Sequence, residues 1–170
     1  FELESVLLQH PAVAEAAGQL GVQTPNVEAF TKTMVQLGET TNLTSEQAAT
    51  DIAQIENVMR TASDETDNLG ASLVALGNNG ASTEAQILAM ANRIAATGAQ
   101  VGLTEADILG LANAAASMGI EVEAGGSAVS RVFQTMAKDV AAGGDKLELF
   151  AQVSGMTAQQ FAKEFGDDPA

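Results

Sequence analysis

The sequence has 170 residues, no cysteine, and a net charge of −15 that comes from 22 acidic and 7 basic residues. Because lysine and arginine are the side chains that bind phosphates, so few cations, spread from Lys32 to Lys163, argue against a nucleic acid or an anionic membrane surface as a partner. The missing thiols exclude disulfides, thiolate metal sites and cysteine nucleophiles, and since no run of 18 apolar residues occurs, we expect no membrane contact by this segment.

Helical periodicity dominates the chain from beginning to end. Apolar residues recur at intervals of three and four, which predicts amphipathic helices with one buried side. The clearest stripes are Ala48, Ile52, Ile55 and Met59; Ile87, Met90, Ala91 and Ile94; and Val129, Val132, Phe133, Met136 and Val140. The opposite, solvent-facing sides are predicted to carry Asp51, Gln54, Glu56, Asn92, Arg93, Arg131 and Asp139.

These patterns predict an all-α fold, an antiparallel multi-helix bundle of eight or nine short amphipathic helices joined by glycine-rich turns. The predicted helices lie near 3–19, 26–37, 45–62, 66–76, 83–97, 105–118, 126–142, 145–153 and 158–165. A short alternating segment at 120–123 is interpreted as an extended connector. We expect residues 1–170 to form a single helical domain. Because the chain starts without methionine and ends in a loop-like GDDPA, we interpret it as a piece of a longer polypeptide.

Four helix starts share one sequence pattern. A threonine at the N-cap is followed three residues later by glutamine or aspartate, which is the pattern of a capping box. The four pairs are Thr44 with Gln47, Thr83 with Gln86, Thr104 with Asp107, and Thr157 with Gln160. In three of them, apolar residues flank the cap and favour a hydrophobic staple.

Glycines are predicted to mark most helix ends, because glycine readily adopts the left-handed conformation of a helix C-terminus. The predicted stops are Gly38, Gly77, Gly98, Gly119, Gly143, Gly155 and Gly166. The residues 125–127 are interpreted as a flexible joint with Ser127 as an N-cap, and Asp145 is predicted to cap the following helix. Within the helix at 105–118, Ala106, Gly110 and Ala114 form a small-residue face that is expected to pack closely against the preceding helix.

Small side chains limit the core that the chain can build. The sequence contains 32 alanines and 16 glycines, and its aromatic residues are six phenylalanines. Because each alanine removes little apolar area from water, we expect modest stability for each helix. The six methionines, at positions 34, 59, 90, 118, 136 and 156, are interpreted mostly as core filling, although they would also suit an adaptable binding surface.

Few residues are candidates for catalysis, and none has in the nearby sequence the additional groups that a catalytic site requires. The one histidine, His10, precedes Pro11 and has no nucleophile or orienting group nearby in the sequence. The acidic pairs at 121/123 and 167/168 and the cluster at 64–67 are expected in loops or at helix starts, where Asp67 would complement the helix dipole. We therefore predict no catalytic residue from these groups.

Two superficial ligand motifs also fail. An EF-hand starting at Asp64 would place Leu69 at its sixth position and Ala75 at its twelfth, where glycine and glutamate are required. The GGDK at 143–146 lacks the spacing and the final serine or threonine of a phosphate-binding loop. The sequence thus predicts no metal-binding or cofactor-binding residue and no enzymatic activity.

Several short stretches, in order and at matching spacing, carry a resemblance to a known family. They are GQLG at 18–21, FTKTM at 30–34, TNLT at 41–44, LGNN at 76–79, GIEVEAGGSA at 119–128 and GMTAQQF at 155–161. From about residue 14 to residue 169, the sequence resembles the conserved core region of phage tail tape measure proteins; residues 1–13 lie outside it.

The resemblance implies a structural and assembly role in a phage or prophage tail. Such proteins occupy the lumen of the tail tube, and their length sets tail length. The implied partners are tail tube subunits, tail assembly chaperones and tail tip proteins, with self-association through helices as a further possibility. The implied location is the virion tail, reached from the host cytoplasm during assembly. The alternatives are a cell-wall hydrolase-associated module and a helical binding or adaptor domain.

Overall fold

The structure, a computed structural model, describes residues 7–62 and 64–170. Within those residues it contains nine α-helices whose two ends are both described, helical residues at 7–9, one short 3₁₀ helix and no strand, which confirms the predicted all-α fold. The α-helices are α1 (Pro11–Gln19), α2 (Val27–Thr40), α3 (Ser45–Met59), α4 (Thr66–Asn79), α5 (Glu84–Val101), α6 (Glu105–Ser117), α7 (Val122–Ala142), α8 (Leu147–Val153) and α9 (Ala158–Asp167). The 3₁₀ helix, Thr24–Asn26, leads into α2.

The first predicted helix, 3–19, is interrupted. Residues 7–9 are helical, His10 is not, and α1 begins at Pro11. Proline suits the first position of a helix because the amide hydrogen that it lacks would have no intrahelical acceptor there. The part of this prediction at residues 3–6 falls outside the described residues.

All four predicted capping boxes are present. In each, the threonine hydroxyl accepts the backbone N–H of the third helical residue, and that residue's side chain accepts the N–H of the threonine. At the start of α6, for example, the Asp107 N–H donates to Thr104 Oγ1 at 3.2 Å and the Thr104 N–H donates to Asp107 Oδ2 at 2.8 Å. These contacts fix the starts of α3, α5, α6 and α9.

Helix α5 lies at the centre of the bundle and contacts α3, α4, α6 and α7. Five of its apolar residues are fully buried because neighbours cover several of its sides: Ile87, Leu88, Met90, Ala91 and Ile94. Around it, α1, α2 and α3 pack on one another, and α4 bridges α2 and α6. The chain finishes with α8 and α9, which pack against each other and reach the rest of the molecule chiefly through α7.

Several glycines predicted as helix stops lie inside helices. Gly38, Gly77, Gly98 and Gly166 belong to α2, α4, α5 and α9, so that α2, α4 and α5 run three or four residues beyond their predicted ends. At Gly98 a methyl group would come within 2.9 Å of Ile108, which shows that this glycine allows α6 to approach α5 closely. Gly119, Gly143 and Gly155 follow helices in the left-handed region and confirm the prediction.

The predicted joint at 125–127 and the extended connector at 120–123 are wrong. Helix α7 begins at Val122, and its N-cap is Glu121, which makes no side-chain capping bond, so Ser127 is not a cap. Gly125 and Gly126 instead face other residues directly: a methyl group at Gly126 would stand 2.5 Å from the Cβ of Arg93 on α5. Both glycines are buried, and they let α7 pack directly on α5.

Two further local predictions are corrected. Asp145 does not cap α8, because the N-cap position is Lys146 and carries no side-chain capping bond. The face formed by Ala106, Gly110 and Ala114 does not pack on α5, because all three residues are exposed and nothing lies within 4 Å of a methyl group built at Gly110. Helix α6 is turned by roughly half a turn from the predicted orientation and buries its larger side chains, Ile108, Leu109, Ala112 and Ala115.

The stripe on α7, the most regular in the sequence, is only partly covered. Phe133 is buried, but Val132 is 47% exposed, while Val129, Met136 and Val140 are half-buried. Helix α5 packs along one side of α7, where Gln134 Nε2 donates to Thr97 Oγ1 at 3.4 Å, and the short α8 adds a smaller contact. There Phe161 stacks on both Phe150 and Phe165, with ring centroids 6.0 Å apart in each pair.

Candidate functional site

The residues weighed for catalysis are scattered over the described surface. His10 is the half-buried N-cap of α1 and makes no capping bond through its side chain. Glu121 and Glu123 stand at the start of α7, and Glu123 pairs with Arg93 at 3.2 Å. Asp167 is the last residue of α9, and its carboxylate pairs with Lys163 at 3.7 Å. These groups do not converge.

The acidic cluster at 64–67 takes the position that the sequence predicts. Asp67 lies in the first turn of α4, where its charge complements the helix dipole. Its carboxylate also accepts the hydroxyl of Thr33 on α2, and Glu65 accepts the amide of Asn68 at 2.7 Å. No group of three or more metal-ligating side chains occurs within residues 7–62 and 64–170.

The most unusual acid in the described residues is Glu56, which the helical pattern assigned to the exposed side of α3. Glu56 is instead only 9% exposed, because α3 is enclosed by α1, α2 and α5. The hydroxyl of Thr66, at the start of α4, donates to its Oε1 at 2.6 Å. Burial raises the pKa of Glu56, the Thr66 hydrogen bond lowers it, and the charge of Glu105 raises it further.

A buried acid with a raised pKa often marks a functional site. Whether Glu56 could bind a ligand therefore depends on the volume of the cavity beside it. The adjoining cavity has a volume of about 50 Å³ and is lined by residues of the α1–α2 connection, α3 and α4. Ligand sites usually enclose a few hundred Å³ or more. The contacts of Glu56 therefore indicate a link between α3 and α4. The helical pattern of α3 does not indicate that Glu56 is buried, because that burial depends on a second layer of helices over α3.

Asp51, also predicted on the exposed side of α3, is half-buried, and burial raises its pKa. On α5, Asn92 is half-buried and its Nδ2 atom is enclosed without a hydrogen-bond partner. The remaining polar positions of that prediction are exposed or half-buried, as on an amphipathic helix: Gln54, Arg93, Arg131 and Asp139.

Apolar surface, in contrast, is concentrated in one part of the described chain. Of the eight large apolar side chains that are exposed, six fall between residues 118 and 156: Met118, Ile120, Val132, Leu149, Val153 and Met156. Two of the six methionines are thus exposed, two are fully buried (Met34 and Met90) and two are half-buried, so core filling accounts for only some of them. Exposed apolar side chains of this size are available for contact with a partner.

The described residues also form two shallow grooves that apolar side chains help to line. One has a volume of about 250 Å³ and lies between the end of α7 and α9, with Phe133, Met136 and Phe165 in its wall. The other has a volume of about 660 Å³ and runs between α2 and α4, with Leu37, Val74 and small residues in its wall. Both are open and lined by side chains of helices, which suits contact with another helix. None of the described helices is long and apolar enough to cross a membrane.

Comparison with known proteins gives one finding that covers most of the chain. A family model described as "Phage-related minor tail protein" matches residues 11–168. Neither the search of curated proteins nor the search of solved structures produced a match.

Proposed function

Because this chain belongs to the phage-related minor tail protein family, we propose that it is a segment of the tape measure that occupies the lumen of the tail tube and sets the length of the tail. The observation that carries the proposal is the family match over residues 11–168, within which the tape-measure motifs stand in order. A role in the structure of the tail follows from the family itself. That this chain also helps to set the length of the tail is the part that we propose.

The physical character of the helices supports this role. A tape measure must be held folded or soluble in the host cytoplasm and then extend along the tube. The nine helices of the described residues, four of which have their own capping boxes, carry few large side chains and suit such a change, because each interface contributes little. Fully helical and extended, 170 residues would span about 255 Å at a rise of 1.5 Å per residue.

The partners that we propose are tail tube subunits, assembly chaperones and tail tip proteins. The exposed apolar side chains between 118 and 156 are the surface by which a partner helix would hold the chain. The acidic surface, with only two ion pairs among the described residues, would not adhere to DNA that follows through the same tube.

We propose further that the chain acts without catalysis. The buried Glu56 adjoins a cavity of about 50 Å³, which is too small for a substrate, and the sequence neighbours of His10 are Gln9 and Pro11, neither of which is a nucleophile. A cell-wall hydrolase module is the competing assignment. Clearing of peptidoglycan in a zymogram by the purified chain would favour that assignment.

Tail length tests the proposal directly. In the phage or prophage that encodes the chain, deletion of this segment should shorten the tail, and tandem duplication should lengthen it, by up to about 255 Å in electron micrographs. Replacing the segment with an unrelated helical sequence of equal length is the matched control and should preserve tail length. Tails of unchanged length in both the deletion and the duplication would contradict the length-setting role.

A further inference from the structure

The connection between α4 and α5 begins with an asparagine that a glycine follows directly. Of the eight asparagines in the sequence, Asn79 is the one whose next residue is a glycine, Gly80. Asn79 is the last residue of α4, and Gly80 follows it in an extended conformation. Both residues are exposed. An exposed asparagine at this position is open to water and lies where a helix frays.

An asparagine followed by a glycine can lose its side-chain amide without an enzyme, and asparagine is among the thermally labile residues of proteins. The backbone nitrogen of the glycine attacks the asparagine Cγ, a bond forms between these two atoms, and the side-chain amide leaves as ammonia with the proton of that nitrogen. The cyclic succinimide then takes up water and opens to aspartate or to isoaspartate, in which the main chain runs through Cγ. Glycine favours the attack because it has no Cβ to hinder the approach.

Two hydrogen bonds at the end of α4 oppose this attack. Asn79 Nδ2 donates to the Ala75 carbonyl at 2.8 Å, which holds the side-chain amide against the helix. The Gly80 N–H donates to the Leu76 carbonyl at 2.8 Å, which holds the attacking nitrogen in the helical hydrogen-bond pattern. The attack therefore requires the last turn of α4 to open. Opening of a helix end costs less free energy than unfolding of the whole chain.

The product would fit the α4–α5 connection less well than asparagine does. A methyl group built at Gly80 would stand 2.6 Å from Asn113 Oδ1 on α6, so there is little space here for the longer main chain of isoaspartate. The hydroxyl of Ser82 donates to the same Oδ1 atom at 2.6 Å and ties the connection to α6. Either product also places a carboxylate at the C-terminus of α4, where the helix dipole disfavours negative charge.

We propose that Asn79 is a site of spontaneous deamidation, that opening of the last turn of α4 controls its rate, and that its conversion loosens the α4–α5 connection from α6. The reaction needs no co-reactant other than water, and the loss of ammonia makes it irreversible. The folded chain therefore ages first at this connection, ahead of its other asparagines. The proposal does not depend on the role in tail length.

Peptide mapping by mass spectrometry follows the conversion of each asparagine while the 170-residue chain is incubated at physiological temperature and pH, and enzymatic methylation detects isoaspartate. Asn79 should convert first, and more slowly than in the same chain unfolded in guanidinium chloride. Asn78, also exposed but followed by another asparagine, is the internal control and should remain intact when Asn79 has converted. A folded chain that keeps Asn79 while the unfolded chain converts completely, or one that converts as fast as the unfolded chain, would overturn the proposal.

A pair of alanine-to-glycine variants tests control by the last turn of α4. Ala75 is exposed, and Ala75→Gly keeps the carbonyl that accepts Asn79 Nδ2 but weakens the end of the helix. Conversion of Asn79 should become about fivefold faster, the factor that corresponds to the lower helix propensity of glycine. Ala128→Gly, at an exposed position of α7, is the matched control and should convert at the parent rate. Equal acceleration in both variants would mean that Asn79 reacts only when the whole chain unfolds, which contradicts the proposal.

Hydrogen exchange before and after incubation tests the effect on the connection. In the converted chain, the amides of residues 80–83 and of the last turn of α6 should exchange faster than in the fresh chain. Asn79→Gln is the control, because the longer side chain of glutamine cyclises slowly, and its exchange should not change on incubation. Unchanged exchange in the converted chain, or an equal change in Asn79→Gln, would refute the loosening of the connection.

Discussion

At the scale of single residues, Glu56 sets a dependence of stability on pH. Burial raises its pKa in the folded chain, and the charge of Glu105 raises it further, against the Thr66 hydrogen bond. A folded-state pKa above the unfolded one means that the folded chain binds the proton more tightly. The contribution of Glu56 to stability is therefore greatest when both states are protonated and falls as the pH rises through the folded-state pKa.

We predict that Glu56→Gln raises the melting temperature at pH 7, because glutamine keeps an acceptor for Thr66 and carries no buried charge. The gain should shrink as the pH falls and should vanish below about pH 4, where the carboxyl is neutral in both states. Thermal unfolding followed by circular dichroism between pH 3.5 and pH 8 measures the difference at each pH, a range that brackets the ordinary glutamate pKa. Glu164→Gln, at an exposed position of α9, is the control for net charge and should show no such trend. Destabilisation by Glu56→Gln at neutral pH would show that the ionised carboxylate stabilises the fold.

The capping threonines also act at this scale. Thr104→Ala should lower the free energy of unfolding by about 1 kcal/mol, because an N–H group at the start of α6 loses its acceptor. Thr135→Ala is the matched control: the Thr135 hydroxyl donates to the Arg131 carbonyl within α7, and alanine is the better helix former at that position. Urea denaturation compares the two. Equal losses would mean that the capping box of α6 contributes nothing specific.

At the scale of helices, two mid-helix glycines have opposite roles. Gly110 on α6 faces open space, so Gly110→Ala should stabilise the chain by about 1 kcal/mol through helix propensity. Gly126→Ala brings the same propensity but forces a methyl group against Arg93, so we expect a net loss of about 1–3 kcal/mol. The midpoints of urea denaturation separate the two effects. Similar gains in both variants would show that α7 has room to move away from α5.

The helices themselves and their caps could be predicted because their causes are local. Thr104 and Asp107 contact each other across three residues, and no distant neighbour is needed for the bond to form. The roles of Gly98 and Gly126 could not be predicted in the same way, because the side chains that require them belong to other helices. The prediction that Glu56 is exposed was wrong for a similar reason. The apolar stripe on α3 identifies one buried side, whereas neighbouring helices cover the other side too.

Surfaces that contact other helices were still harder to predict from the sequence. The regular stripe on α7 predicts a covered face, yet Val132 is 47% exposed, because coverage depends on how many neighbouring helices pack on that face and not on the regularity of the stripe. The α6 face of small residues shows the reverse error. There Gly110 looked like a contact position, although the larger side chains Ile108 and Leu109 take the buried side. Burial follows the larger apolar area, which a search for small residues overlooks.

At the scale of the whole molecule, the extent of packing differs from helix to helix among the described residues. Helix α5 is surrounded and supplies much of the fully buried core, whereas α8 and α9 depend on a small cluster around three phenylalanines and on part of α7. The proposed passage from a folded bundle to an extended strand requires helices that separate one after another. Interfaces of unequal size provide that order, because the smaller ones open at a lower cost in free energy.

Native-state hydrogen exchange on the 170-residue chain measures this gradation helix by helix. Amides of α5 should exchange only through opening at a free energy close to that of global unfolding, and amides of α8 and α9 should exchange at clearly lower free energies. Intermediate values are expected for α1 and for the C-terminal half of α7. A single high free energy of opening shared by every helix would contradict a bundle built from separable interfaces.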